Sequence, residues 1–210
     1  MDTDFWHERW EKTEIGFHQG KSNPMLVKHF QALSLAKNAR VFVPLCGKTL
    51  DISWLLSNGY RVAGAELSTI AIDELFQGLG VEPAISEIGK FKHYSAENID
   101  IFVGDIFELS GDIIGSVDAV YDRAALVALP KEMRNQYAAH MIELTRKSPQ
   151  LLLSFEYDQT LMDGPPFSVS NEEVNHLYGD SFDLTLVSST DVPGGLRGKF
   201  QANEAVWLLR

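Results

Sequence analysis

The strand-to-helix turn Leu45-Cys46-Gly47 and the carboxylate Glu66, 21 residues after Leu45, have the residue types and spacing whose chemistry is plainest. A turn that opens a helix aims backbone N–H groups and the positive end of the helix dipole at an anion. A carboxylate closing the next strand can accept hydrogen bonds from ribose hydroxyls, so the pair outlines a nucleotide-binding βαβ unit. Gly47 alone can relax this backbone, since Pro44 fixes its own φ. The bland alternative is an ordinary turn, with Glu66 a solvated charge beside Ser68. Asp105 and Ile106 close the third strand in the same way, as one polar and one apolar contact for a base or as a turn after Gly104. Arg123 closes the fourth, either as a cation aimed into the site or as half of a buried pair with Asp122.

The apolar pattern supplies a scaffold for these positions. Strands are predicted over Val41–Leu45, Arg61–Glu66, Ile99–Val103, Ala119–Tyr121 and Leu151–Glu156. Helices Leu50–Ser57 and Ile70–Leu79 lie between the first three, closed by Gly59 and Gly80. Pro130 opens a long helix through Arg146, with Met133, Tyr137, Ala138, Met141 and Leu144 on one side. Near the N-terminus, Trp6 and Trp10 share a helical face, and Leu26, Val27, Phe30 and Leu33 give a second helix to about Ala36. Trp6 is assigned to core packing. Residues 81–98 read as a polar insert, and Ser170 with Glu173 matches a capping box. Phe182–Val187 and Ala205–Leu209 have no helix between them and read as an antiparallel pair. This alternation implies an α/β chain with a mostly parallel sheet covered on both faces.

Composition narrows the function. The chain has 210 residues, 45% of them hydrophobic, which suits one domain with a full core. With 18 basic and 29 acidic residues its net charge is −11, which disfavours nucleic acid and anionic membranes and leaves a small-molecule substrate. No apolar run reaches the roughly 20 residues of a membrane span. The single cysteine, Cys46, suits a reducing cytoplasm and is read as a small buried side chain. No histidine spacing suggests a metal site, so none is expected. Gly47-Lys48-Thr49 ends like a P-loop, but Phe42 stands where that motif needs its first glycine. Gly179-Asp-Ser-Phe182 is taken as a chance echo of a hydrolase signature.

The chain resembles the thiopurine S-methyltransferases, a family of class I S-adenosylmethionine-dependent methyltransferases. The resemblance covers nearly the whole chain and weakens from about Phe182. It is carried by Trp6-His-Glu-Arg-Trp10, Gly16-Phe-His, Val43-Pro-Leu-Cys-Gly-Lys48, Gly64-Ala-Glu-Leu-Ser68, Asp122-Arg-Ala-Ala-Leu126 and Gly164-Pro-Pro-Phe-Ser168. It implies a Rossmann-like seven-stranded, mostly parallel sheet with an antiparallel C-terminal strand. Residues 1–210 would form one domain, with 1–36 as a helical lid. The cofactor would be S-adenosylmethionine, held by Trp10, Leu45, Gly47, Glu66, Asp105, Ile106 and Arg123. The turn at 45–47 would meet its methionine carboxylate. Phe17 would pack on the substrate ring, and Arg123 and Arg197 would stabilise an anionic sulfur. Trp10–Asn23 and Asp163–Ser168 would gate the site. The resemblance further implies a cytoplasmic monomer that methylates aromatic or heterocyclic thiols, with activity extending to selenium or tellurium compounds. Competing readings are a halide or small-thiol methyltransferase, a dinucleotide oxidoreductase (lacking its glycine motif) and a non-catalytic S-adenosylmethionine-binding regulator.

Overall fold

The computed structural model describes residues 3–12, 16 and 18–210. Helix α1 (Thr3–Glu11) and helix α2 (Pro24–His29) precede the first strand, β1 (Arg40–Val43). Asn23 starts α2, its side-chain oxygen accepting from the N–H groups of Met25 and Leu26, with Pro24 in the first turn. The helix expected to run to Ala36 instead tightens into a 3-10 turn over Phe30–Leu33 and stops at Ser34, whose φ is 55°. Val27, expected on the buried face, is 49% exposed, because Leu26, Phe30 and Leu33 already fill that face.

The alternation then proceeds as α3 (Leu50–Ser57), β2 (Arg61–Glu66), α4 (Thr69–Leu79), the hairpin β3 (Ala84–Ile88) and β4 (Phe91–Ala96), and β5 (Ile99–Val103). After the short α5 (Gly111–Ile114) come β6 (Ala119–Asp122), α6 (Lys131–Leu144), β7 (Gln150–Glu156), α7 (Asn171–Tyr178), β8 (Leu184–Asp191) and β9 (Asn203–Leu209). The sheet has nine strands in the order β3-β4-β5-β2-β1-β6-β7-β9-β8, not the seven expected. The two added strands are the hairpin inside 81–98. All of β3 is exposed or half-exposed, so it has no buried face to leave an apolar pattern in the sequence. The five central strands are mutually parallel, while β9 runs antiparallel between β7 and β8, as the terminal pair predicts.

Strict alternation along β1 divides the core. Val41 and Val43 join Val62, Ile101 and Leu151 under Ile52, Leu55, Ile72 and Leu75 of α3 and α4. Phe42 joins Val120, Leu152 and Trp207 on the opposite face, under Tyr137 and Met141 of α6 and Val174 of α7. With both faces covered, the carboxyl ends of the parallel strands are where backbone and side chains are left to meet a ligand. No helix among the described residues is long and apolar enough to cross a membrane.

Candidate active site

A cleft of about 600 Å³ opens at those strand ends. The turn after β1, the end of β2, the turn after β6 and one side of α1 line it, with the 163–168 and 194–198 loops at the mouth. Two strand ends bend sharply there. Leu45 (φ 45°) and Ala124 (φ 62°) both take the left-handed conformation that side chains resist, which turns the chain out of the sheet beside the cleft.

Glu66 is the most constrained group in the site. It is 7% exposed, and three backbone amides donate to its carboxylate: Gly47 to Oε2 at 2.8 Å, Leu67 and Ser68 to Oε1 at 2.8 and 2.9 Å. Burial pushes its pKa up, and those amides oppose the rise by favouring the charged form. Glu66 thus ties the turn after β1 to the start of α4. A carboxylate offers about four lone-pair directions, so three amides leave room for one more donor. Gly47 (φ 50°) is needed where it stands, because a Cβ there would lie 3.0 Å from the Trp10 ring. Trp10 reaches that contact from α1, 6% exposed, with the Lys48 ammonium 6.0 Å from its ring centroid.

The amides expected to meet a carboxylate are partly committed elsewhere. Cys46 N donates to Ala65 O at 3.0 Å and Gly47 N to Glu66, so the turn's own backbone supplies less to an anion than its position suggests. Side-chain cations supply more. Arg9 of α1 lines the cleft, and its Nε is buried and bonded to nothing among the described residues. Lys48, Arg123 and Arg197 line it as well. Arg197 is exposed at the mouth and donates to Pro165 O at 2.6 Å.

Asp122 does not serve as the buried partner of Arg123. It faces the other side of the sheet, accepting from Tyr137 Oη at 2.8 Å and Leu126 N at 3.1 Å. Asp105 and Ile106 lie at the correct end of the sheet, since Gly104 N donates to Glu66 O at 2.9 Å, but neither lines the cleft. Asp105 accepts from Phe107 N at 3.0 Å as the cap of a 3-10 turn, and the Ile106 side chain is 2% exposed within the core under α5 and α6. Phe17 lies outside the described residues. Trp6, assigned to the core, instead lines the cleft half-buried, because α1 lies over the site and packs on α4.

Sequence reasoning missed five cleft groups, among them Lys48, which it weighed only as part of a rejected P-loop. Arg9 had a signal in the three-residue spacing from Trp6, which places both on one helical face. His18 had none beyond its place after Gly16. Asp51 and Tyr121 had none, since their pairing joins α3 to β6 across 70 residues, with Tyr121 Oη donating to Asp51 Oδ2 at 3.0 Å.

The sequence matches the thiopurine S-methyltransferase family over residues 1–209. The chain belongs to the thiopurine S-methyltransferase family. It is 58% identical to the thiopurine S-methyltransferase of Xanthobacter autotrophicus, over 100% of this chain and 99% of that one. It is 54% identical to the enzyme of that name from Teredinibacter turnerae, over 100% and 97% of the two chains. In fold it resembles Burkholderia thailandensis 1,6-didemethyltoxoflavin-N1-methyltransferase, crystallised with S-adenosylhomocysteine. The TM-score is 0.68 at 16% identity, covering 99% of this chain and 86% of the other. This is an S-adenosylmethionine-dependent methyltransferase family, and the cleft of this member suits the cofactor. Glu66 has a direction open for a ribose hydroxyl, and the buried Arg9 Nε, without an acceptor among the described residues, is a donor that an α-carboxylate can accept from.

Proposed function

We propose that the chain methylates the sulfur of aromatic or heterocyclic thiols, thiopurines among them, and stabilises that sulfur as an anion within the cleft. The observation that carries this is the charge of the cleft. In a molecule of net charge −11, Arg9, Lys48, Arg123 and Arg197 line one cavity against two carboxylates, Asp51 and Glu66, and the cavity also presents Trp6, Trp10 and Pro166 to a flat ring.

When bound, S-adenosylmethionine supplies an already activated methyl group. Glu66 orients the ribose, Leu45 and Gly47 shape the turn beside it, and Trp10 covers it from α1. Arg9 and Lys48 hold the carboxylate. Arg123 and Arg197 stabilise the thiolate, and the Pro165–Pro166 wall with Phe17 fixes the ring. Asp105 takes the outer edge of the adenine, while Ile106 supports that turn from the core. The protein's contribution is positioning and the exclusion of water. Residues 1–36 act as a lid on a single domain, and the chain works as a cytoplasmic monomer.

The test is transfer of a labelled methyl group from S-adenosylmethionine to 6-mercaptopurine, with an aromatic thiol, iodide and selenite in parallel. Label on the mercaptopurine sulfur supports the reading. Label on iodide alone favours a halide methyltransferase, and S-adenosylhomocysteine binding without any transfer favours a regulator. Label on selenite extends the activity to selenium.

A further inference from the structure

A thiol that enters the cleft protonated must lose that proton before its sulfur is methylated, and the roles assigned above provide no acceptor for it. Most cleft-lining groups are unsuited to the task. Glu66 is spent on three amides and on the ribose assigned to its remaining direction. Asp51 accepts from Asn23 N at 2.6 Å and from Tyr121 Oη at 3.0 Å, so Tyr121 has committed its own proton. The Cys46 thiol is 5% exposed, and burial with the Glu66 charge beside it holds it protonated. Arg9, Lys48, Arg123 and Arg197 are cations.

His18 differs from all of these. It lies half-buried on the cleft wall, and among the described residues nothing hydrogen-bonds its ring. Three charged groups from three elements act on it: Lys48 from the turn after β1 and Arg123 from the turn after β6, which line the same cleft, and Glu74 from α4. Glu74 is itself paired with Lys48 at 2.5 Å, and at the imidazole the two cations outweigh it. We propose that His18 is the general base of S-methylation, taking the proton from the substrate thiol inside the cleft; this rests on the S-methyl-transfer reading above.

Burial first, then Lys48 and Arg123, hold the His18 pKa below its ordinary 6.5. The ring is therefore neutral at pH 7, the form that can accept a proton. The same two cations favour a thiolate over a thiol, so both ends of the transfer shift in step. In the step itself the S–H bond breaks, its electron pair stays on sulfur and the proton goes to an imidazole nitrogen. That sulfur pair forms the new S–CH3 bond as the old sulfonium–methyl bond breaks, returning its pair to the departing S-adenosylhomocysteine sulfur. The imidazolium then passes its proton to water as product leaves.

The experiment compares kcat/KM for native protein, His18→Gln and His18→Ala on a series of para-substituted thiophenols of graded acidity, across pH. S-adenosylhomocysteine affinity is measured by calorimetry as a check on folding. His18→Gln is expected to lose about 100-fold on the least acidic thiols. The loss should shrink as the thiol becomes more acidic or as pH rises past its pKa. Added imidazole should restore His18→Ala on the weakly acidic members. A loss that is uniform across the series and insensitive to pH and imidazole would overturn the base role while leaving S-methylation standing. A native protein inactive on every thiol would overturn both.

Discussion

A carboxylate as buried as Glu66 keeps a charge only because Gly47, Leu67 and Ser68 donate their amides to it. Glu66→Gln replaces one acceptor oxygen with a donor, so at least one of those amides must face an N–H group. We expect a stability loss of roughly 1–3 kcal/mol, together with weaker S-adenosylhomocysteine binding. Equal stability and equal affinity in denaturation and calorimetry would remove both roles. Arg123 acts on charge. It lines the cleft, and its positive field opposes the rise that burial imposes on the Glu204 carboxyl. Arg123→Ala should lower turnover about 100-fold while changing S-adenosylhomocysteine affinity much less. Turnover within a few-fold of native would dismiss it. Glu66 and Arg123 were legible because each ends a strong apolar run. Asp105 and Ile106 end one as well, yet their side chains are used for a cap and for the core. Sequence position gave the strand end but not the direction of the side chain.

Between elements, one polar tie that helps hold the N-terminal segment to the sheet is Asp51, 1% exposed in the first turn of α3. It receives the Asn23 amide, from the residue that caps α2, and the Tyr121 hydroxyl of β6, so three elements converge on one carboxylate. Asp51→Ala strands both donors, at roughly 1–3 kcal/mol each, whereas Tyr121→Phe removes one partner and should cost about 1 kcal/mol. Chemical denaturation should therefore rank Asp51→Ala well below Tyr121→Phe, and in Asp51→Ala the Asn23 amide should lose protection from hydrogen exchange. Equal losses in the two variants, with Asn23 still protected, would show that the tie is not at Asp51. The 163–168 loop at the mouth is fastened in a comparable way. Arg134, 3% exposed, donates to Ser168 O at 3.0 Å and to Glu173 at 2.8 Å, and Tyr157 Oη donates to Pro166 O at 2.7 Å. The capping box was legible in Ser170, whose Oγ accepts from Glu173 N at 3.2 Å, but the Glu173 carboxylate is taken by Arg134. Long-range ties of this kind leave no periodic trace. The strongly periodic helices and parallel strands appeared where expected, and the hairpin of exposed β3 with half-covered β4 did not.

For the molecule as a whole, the buried carboxyls set an unusual response to pH. Burial pushes up Glu66, Glu204 and Asp122, and Asp122 reaches about 6 from 3.8 despite its bonds from Leu126 N and Tyr137 Oη. Between those two values the folded protein keeps a proton that the unfolded chain has released. Stability from Asp122 is thus present in full below the unfolded pKa and is lost as pH rises through about 6. The upward shift of Asp122 corresponds to an ionisation cost on the order of 3 kcal/mol at neutral pH, which the rest of the fold offsets. Asp122→Asn removes the titration while preserving the shape of the side chain. Any change in packing or in the Tyr137 bond contributes equally at every pH, so it cancels when the two proteins are compared across pH. Urea denaturation at about pH 4.5 and about pH 7.5 should show the Asn variant gaining on native protein by roughly 2 kcal/mol at the higher pH, since about a third of the cost is already incurred at pH 4.5. A gap independent of pH would mean that Asp122 is ionised in the folded state throughout. The buried face under α6 would then hold a charge stabilised by Tyr137 and the 125–126 amides alone.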